Sequence, residues 1–372
     1  MKKLISTLLI SSTLTCVAAD PAAILEEMSL TEKIGQMLLV GFRGQSVSSR
    51  HEIVRDIQKY KIGSVILFEY DALKKTRARN IGSPSQLTKL TADLQAYAQI
   101  PLFISIDEEG GLVSRLKSRY GFKTFPSQAK VAAKGDLSYT YDNALGLSSQ
   151  LSEHGVNMNF APVVDVNVNP RNPIIGKLGR SFSQDAERVT DHAREVIHAH
   201  RDNQVATALK HFPGHGSSTK DSHLSLVDVT KTWSQKELIP FTTLSREDNV
   251  DMIMTAHVFN RRLDRQYPAT LSSKIIGSLL REKIGFNGVV ISDDMNMKAI
   301  ANHYSLDTAV ELAIKAGVDI LLFGNNIDYD KNIAKKVHKI VKRLIRQRKL
   351  SEERLDQSVM RILKLKEKRG LL

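Results

Sequence analysis

The segment Lys210-His211-Phe212-Pro213-Gly214-His215-Gly216, followed by Asp221-Ser222-His223, places three histidines, a lysine and an aspartate within 14 residues. Histidine exchanges protons near neutral pH, and a neighbouring carboxylate orients and charges its ring. Asp221 and His223, two apart in a turn, are therefore candidates for a proton-transfer dyad. Taken alone, an aspartate turn cap beside an exposed histidine is the plainer explanation of them. A zinc reading starts from His211 and His215 at i, i+4, a spacing that shares a face only on a helix. Pro213 and Gly214 break a helix there, and neither a glutamate base nor a cysteine ligand stands between the histidines. The segment reads instead as a glycine-rich catalytic loop.

Two other segments carry carboxylates. Val289-Val290-Ile291-Ser292-Asp293-Asp294-Met295 ends an apolar run in a pair of aspartates. One suits a nucleophile and the other a helix cap or hydrogen-bond partner, and spacing does not choose between them. Asp107-Glu108-Glu109-Gly110-Gly111 leads to Arg115. A carboxylate there accepts hydrogen bonds from vicinal hydroxyls, while the glycines let backbone approach a ligand. Arg115 either joins that ligand or pairs with Asp107. An acidic turn before a helix is a common explanation of such a segment taken alone.

These residues sit where short apolar runs end. The runs are Met37–Phe42, Ser64–Phe68, Leu102–Asp107, Asn157–Asp165, Val205–Lys210, Val250–His257, Val289–Asp293 and Asp319–Phe323. Most are continuous rather than alternating, as strands buried on both faces are. Helical patterns lie between them: Ser85–Ala98, Asp185–Asn203, Ser273–Ile284 and Leu306–Ala316, the last two stopped by Gly285 and Gly317. Ser29-Leu30-Thr31-Glu32 has the form of a capping box. Eight strand–helix units predict an α/β chain folded as a (β/α)₈ TIM-type barrel, whose chemistry lies at the C-terminal ends of its strands. Five of those ends carry Asp107, Asp165, Lys210-His211, His257 and Asp293-Asp294. An open doubly wound sheet is the alternative, but no glycine-rich dinucleotide fingerprint follows an early strand. Nothing resembles a linker or repeat, so residues 20–372 are expected to form one domain with its C-terminal helices packed outside the barrel.

The chain has 372 residues, of which 42% are hydrophobic and 25% charged, as in ordinary globular proteins. Its first 19 residues read as a signal peptide: Lys2 and Lys3, an apolar stretch, then Val17-Ala18-Ala19. Export to the periplasm or beyond is expected, with cleavage before Asp20. Cys16 is the only cysteine, so the mature chain has no disulfide and no thiol nucleophile. Of the net charge of +13, residues 331–372 carry +11 (15 Lys/Arg against 4 Asp/Glu). Because that charge accompanies an apolar stripe (Ile333, Val337, Ile340, Val341, Leu344), it does not read as a nucleic-acid face. It suits a solvated outer helix or contact with an anionic envelope surface.

The motifs together resemble the single-barrel β-N-acetylhexosaminidases of glycoside hydrolase family 3, which remove N-acetylglucosamine from peptidoglycan fragments. The likeness runs from about Met28 to the end. It rests on Lys210–Gly216, Asp221-Ser222-His223, Ser292-Asp293-Asp294-Met295, Gly179-Arg180-Ser181-Phe182, Met254-Thr255-Ala256-His257 and Pro268–Ser272. It implies Asp293 as nucleophile and His223, oriented by Asp221, as acid/base in a retaining exo-β-N-acetylglucosaminidase. It also implies that Asp107, Arg115, Arg180, Lys210 and His211 contact the sugar, with no metal or organic cofactor. Leu112 stands where the family usually has arginine, and Ser217 where it usually has aspartate. Three alternatives stay open: a family member with another sugar preference, a metallohydrolase using His211, His215 and His223, and a non-catalytic wall-binding barrel. Phosphorolysis in place of hydrolysis is likewise left open.

Overall fold

The structure is a computed structural model and describes residues 20–222, 225–247 and 249–372. The leader and His223 lie outside the described residues. Eight parallel strands form one sheet: Leu38–Gly41, Ser64–Ile66, Phe103–Ile106, Met158–Asn159, Ala206–Phe212, Met252–Thr255, Val289–Ile291 and Leu321–Phe323. Each lies beside its neighbour in the chain, and the first also pairs with the eighth, Leu38 opposite Leu321 and Val40 opposite Phe323. A single parallel bridge, Ile291 to Ile320, joins the seventh strand to the eighth and closes the cylinder. Every position of these strands is buried, because barrel interior and helical shell cover both faces. The expected (β/α)₈ barrel is the fold found.

The fourth strand departs from expectation, with two residues in place of Asn157–Asp165. Pro162 has no N–H to give the sheet, and its peptide bond with Ala161 is cis. Pairing resumes only as a bridge from Val163 to Lys210. Two small pairs escape the sequence pattern because two residues show no periodicity. Tyr70–Asp71 runs antiparallel to Thr76–Arg77, and Val227–Asp228 runs parallel to Val258–Phe259.

The predicted helices appear as Pro84–Ala96, Ala186–Asp202, Lys274–Ile284 and Leu306–Ala316, the third wound as a π-helix. Gly285 and Gly317 end theirs in the left-handed region, at φ of 86° and 115°. Ser29 and Glu32 form the capping box.

The basic C-terminus divides in two. Helix Ile333–Arg346 buries its apolar stripe and leaves Lys335, Lys339 and Lys342 exposed. Helix Glu352–Lys368 packs on the N-terminal helices Pro21–Glu27 and Leu30–Gln36, and part of its charge turns inward. Lys366 Nζ donates to Gln36 Oε1 (2.7 Å) and to the Gly63 carbonyl (3.2 Å), and burial pushes its pKa down to about 7. Arg361 and Ser358 reach Asp319, and Arg369 grips Asp251 at 2.5 and 2.6 Å. Both aspartates stand just before barrel strands and are fully buried or nearly so. Arg369→Met strands a buried carboxylate, so it is expected to cost about 3–5 kcal/mol of stability. Urea unfolding reads this, and an unchanged midpoint would show that Lys368 suffices as partner.

Candidate active site

At the C-terminal ends of the strands lies a cavity of about 430 Å³. Asp107, Arg115, Arg180, Lys210, His211, Asp221 and Asp293 all line it, although they come from segments nearly 190 residues apart in the chain. Of the residues singled out for a role in the sequence, only His223 is outside the description. Phe68, Val113, Phe160, Met254 and Leu322 supply apolar wall between the polar groups.

Lys210, near the end of the fifth strand, links two carboxylates. Its Nζ lies 2.9 Å from Asp107 Oδ1 and 2.7 Å from Glu109 Oε1. Arg115 Nη2 donates to Asp107 Oδ2 at 3.2 Å, so the pairing considered from sequence is present alongside its place in the cavity wall. Arg180 meets Glu109 as a fork, Nε to Oε2 at 2.8 Å and Nη2 to Oε1 at 2.7 Å. Burial alone raises the Asp107 carboxyl, but Lys210 and Arg115 outweigh it and hold the acid well below the usual carboxylate range. Glu109 is lowered in the same way, against burial, by Arg180 and Lys210. Burial opposes the Arg180 charge, yet Glu109 reverses the balance and raises its pKa. The result is a linked chain of ionised acceptors and charged donors, suited to hydrogen-bonding vicinal hydroxyls.

Glu109 is the residue that sequence reasoning passed over here. Its place depends on the turn that follows. Gly110 and Gly111 have φ of 85° and 62°, and a Cβ on Gly110 would stand 2.3 Å from the Pro126 carbonyl oxygen. Glu108 Oε2 holds the returning chain by accepting the Arg115 and Leu116 amides at 2.7 and 3.0 Å. Leu112 sits at the tip of this turn and is 69% exposed.

His211 Nδ1 is 2.7 Å from Asp165 Oδ2, and Asp165 Oδ1 accepts the His215 amide at 2.7 Å. Asp165 is fully buried, and against that burial His211 and His215 hold its carboxyl low. It was visible in the sequence only as a polar strand ending. His215 makes contacts through both ring nitrogens, to Ser218 Oγ (2.7 Å) and Ser222 Oγ (3.0 Å). Burial lowers its pKa to about 4. His215 thus braces the loop as a neutral ring. Among the described residues no group of three or more His, Cys, Asp or Glu is placed to hold a metal ion.

The two aspartates of the seventh strand differ in their contacts. Asp294 Oδ1 accepts the Asn296 and Gly324 amides (3.0 and 2.9 Å), and the Asp294 carbonyl accepts from His257 Nε2 (3.0 Å). It ties the strand end to the next strand. Asp293 Oδ1 accepts the Asp294 amide at 2.8 Å.

Behind the loop stands Glu237, which the sequence did not single out. Its Oε2 accepts the Ser217 amide at 3.2 Å, and a Cβ on Gly214 would lie 2.6 Å from its own Cβ. Trp233 Nε1 donates to the Pro213 carbonyl at 2.9 Å, so one short segment supports the loop twice. Burial raises the Glu237 pKa to about 7. A carboxyl raised in the folded state costs stability as pH climbs from its unfolded pKa to its folded one. Wild-type stability is therefore expected to fall by about 3 kcal/mol between pH 4.5 and 7 through this group. Glu237→Gln should flatten that interval in urea unfolding, and parallel curves for the two proteins would refute the assignment.

Fold and site together define a (β/α)₈ barrel whose ligand cavity is built from strand ends. The chain belongs to glycosyl hydrolase family 3: the model of that family's N terminal domain matches residues 29–365. It is 34% identical over 382 residues to "Beta-hexosaminidase A" of Pseudoalteromonas piscicida, covering 92% of this chain and 61% of that protein. It is 32% identical over 363 residues to "Beta-hexosaminidase LpqI" of Mycobacterium tuberculosis, covering 94% and 85%. A glycoside hydrolase family 3 β-N-acetylglucosaminidase from Paenibacillus sp. FPU-7 superposes with a TM-score of 0.84 at 36% identity, covering 92% of this chain and 63% of that one. The chain thus spans less than two thirds of the Pseudoalteromonas and Paenibacillus relatives and most of LpqI.

Proposed function

We propose that the chain is a retaining exo-β-N-acetylglucosaminidase acting on peptidoglycan-derived fragments after export. In this reading Asp293 attacks the anomeric carbon, the bond to the aglycone oxygen breaks, and His223 gives that oxygen its proton. Water, deprotonated by His223, then opens the glycosyl-aspartate. The general retaining template uses two carboxylates; in this reading a histidine, with Asp221 as its orienting carboxylate, takes the acid/base part. Asp107, Lys210 and His211 hold the sugar hydroxyls, backed by Arg115 and Arg180. Hydrogen bonds that tighten as the oxocarbenium-like state develops raise the rate, whereas equal ground-state binding does not.

The observation that carries the reading is that Asp293 and Asp221 line the same cavity as Asp107, Lys210 and Arg180, the last two tied to the buried Glu109. The names of the relatives support the sugar. A panel of nitrophenyl β-glycosides differing only in the sugar tests it. The N-acetylglucosaminide is expected to exceed the glucoside by about a hundredfold or more in kcat/KM, and activity should survive dialysis against a chelator. Equal rates on both sugars would overturn the substrate assignment, and loss on chelation would return the metallohydrolase reading.

A further inference from the structure

At the opposite pole of the barrel a second cavity, of about 410 Å³, opens where the sixth and seventh strands begin. Ser245 and Arg246 wall it from the end of helix Ile239–Arg246, and Arg361, Lys364 and Lys368 from the end of helix Glu352–Lys368. Its floor is the buried Asp251.

Among the described residues charge does not balance there. The buried carboxylates are Asp251 and Asp319. Asp251 is satisfied by Arg369 and by the Thr207 amide (3.1 Å), with Lys368 Nζ at 3.6 Å. Asp319 is satisfied by Arg281 (2.6 Å), Ser358 (2.6 Å), the Val290 amide (2.9 Å) and Arg361 (3.1 Å), with Arg354 at 3.8 Å. Five cations therefore share two carboxylates. Arg246 and Lys364 add two more, and neither forms an ion pair with a described residue. Burial lowers Arg281 to about 10; Asp319 opposes that fall, and the Arg361 and Arg354 charges add to it. Ser245 Oγ, buried in the wall, has no described hydrogen-bond partner.

We propose that this cavity binds a phosphate-bearing anion. Arg246 and Lys364, with Lys368 and the outer edge of Arg361, present a guanidinium fork and compact ammonium charges around one concavity, which is how multiply charged oxyanions are held. A single carboxylate leaves most of those donors unmatched. A phosphate group supplies up to two charges and several acceptor oxygens. The same chemistry arrives on a small phosphorylated solute or on the headgroups of an anionic bilayer. The site is independent of the catalytic reading, because none of its residues lines the Asp293 cavity.

The full chain is titrated with inorganic pyrophosphate against sodium chloride of equal ionic strength, and Tm is followed. A hundredfold excess over Kd is expected to raise Tm by about 3 °C. The triple variant R246Q/K364Q/K368Q should lose that rise while hydrolysing the aryl substrate at the wild-type rate. A second arm sediments the protein with phosphatidylglycerol vesicles. Vesicle binding without a pyrophosphate response, again lost in the triple variant, assigns the site to headgroups. Should the triple variant fold poorly, K364E alone, at an exposed position, is expected to weaken either response about tenfold. No response in either arm, or a response that survives these substitutions, overturns the proposal and leaves a solvated basic face.

Discussion

Asp293→Asn is expected to lower kcat/KM for an aryl β-N-acetylglucosaminide by about 10⁴-fold or more, the scale on which removing a nucleophile acts. The amide keeps the size of the carboxylate, and its oxygen can still accept the Asp294 amide that now lies 2.8 Å away. Folding is therefore expected to be untouched, with wild-type urea and thermal midpoints. What is lost is an oxygen able to bond to the anomeric carbon as the aglycone leaves. Asp294→Asn should behave differently. Its carboxylate takes the Gly324 amide, and Gly324 lies so close that a Cβ there would stand 2.4 Å from Asp294 Oδ2. That variant is expected to lose stability as well as rate. Trapping the wild-type protein with a 2-fluoro sugar, then digestion and mass spectrometry, distinguishes the two aspartates. Label on Asp293 is the expected outcome, and label on Asp294 exchanges their roles.

His223→Ala should be selective rather than uniform. Proton donation matters most when the leaving group is a sugar alcohol, which departs poorly as an anion, and matters little for an acidic phenol. General acid–base assistance is typically worth about 10²–10⁴-fold. A loss of that order in kcat/KM is expected on a β-linked disaccharide, and a far smaller one on a nitrophenyl glycoside. With the activated substrate, hydrolysis of the glycosyl-enzyme becomes the slow step, so the intermediate should accumulate and show as a burst of phenol. Equal losses on both substrates with no burst would remove His223 from the acid/base role. Asp221→Asn should follow the same pattern more weakly, because it acts through the imidazole.

The barrel was legible because its strands are continuous apolar runs bounded by turns and separated by helical patterns, the trace a doubly covered sheet leaves. The fourth strand misled for the same reason. Phe160, Val163 and Val164 are apolar whether or not they pair, and the interruption at Pro162 is a matter of one missing N–H. Site residues at strand ends were legible as polar endings. Glu109 was not, since its meeting with Lys210 and Arg180 depends on a left-handed glycine pair that turns the chain back. Glu237 was hidden more deeply. It lies 20 residues beyond Ser217, in a short helical turn with no pattern of its own, and only tertiary packing brings it behind the loop. Lysine and arginine usually face solvent, so an inward turn of charge in the last helix leaves no trace in its sequence. Lys366 and Arg369 face inward because carbonyl, amide and carboxylate partners wait at the barrel floor.

Those partners set an order on synthesis. Lys366 reaches Gln36 across 330 residues of chain, and Arg369 reaches Asp251 across 118. As the ribosome delivers the chain from its N-terminus, every strand emerges before the residues that fasten the floor beneath it. Until they emerge, Asp251 lacks its guanidinium partner, and Asp319 lacks both the Ser358 hydroxyl and Arg361. Contacts so distant in sequence form slowly and late. A nascent barrel is thus expected to stay unfastened at that pole until residues 366–369 are made. The seventh strand, which leads into Asp293, begins at that same pole, where the Asp251 carbonyl accepts the Val289 amide at 3.0 Å. Competence for chemistry at one end of the cylinder is therefore expected to wait on residues 358–369, which fasten the other.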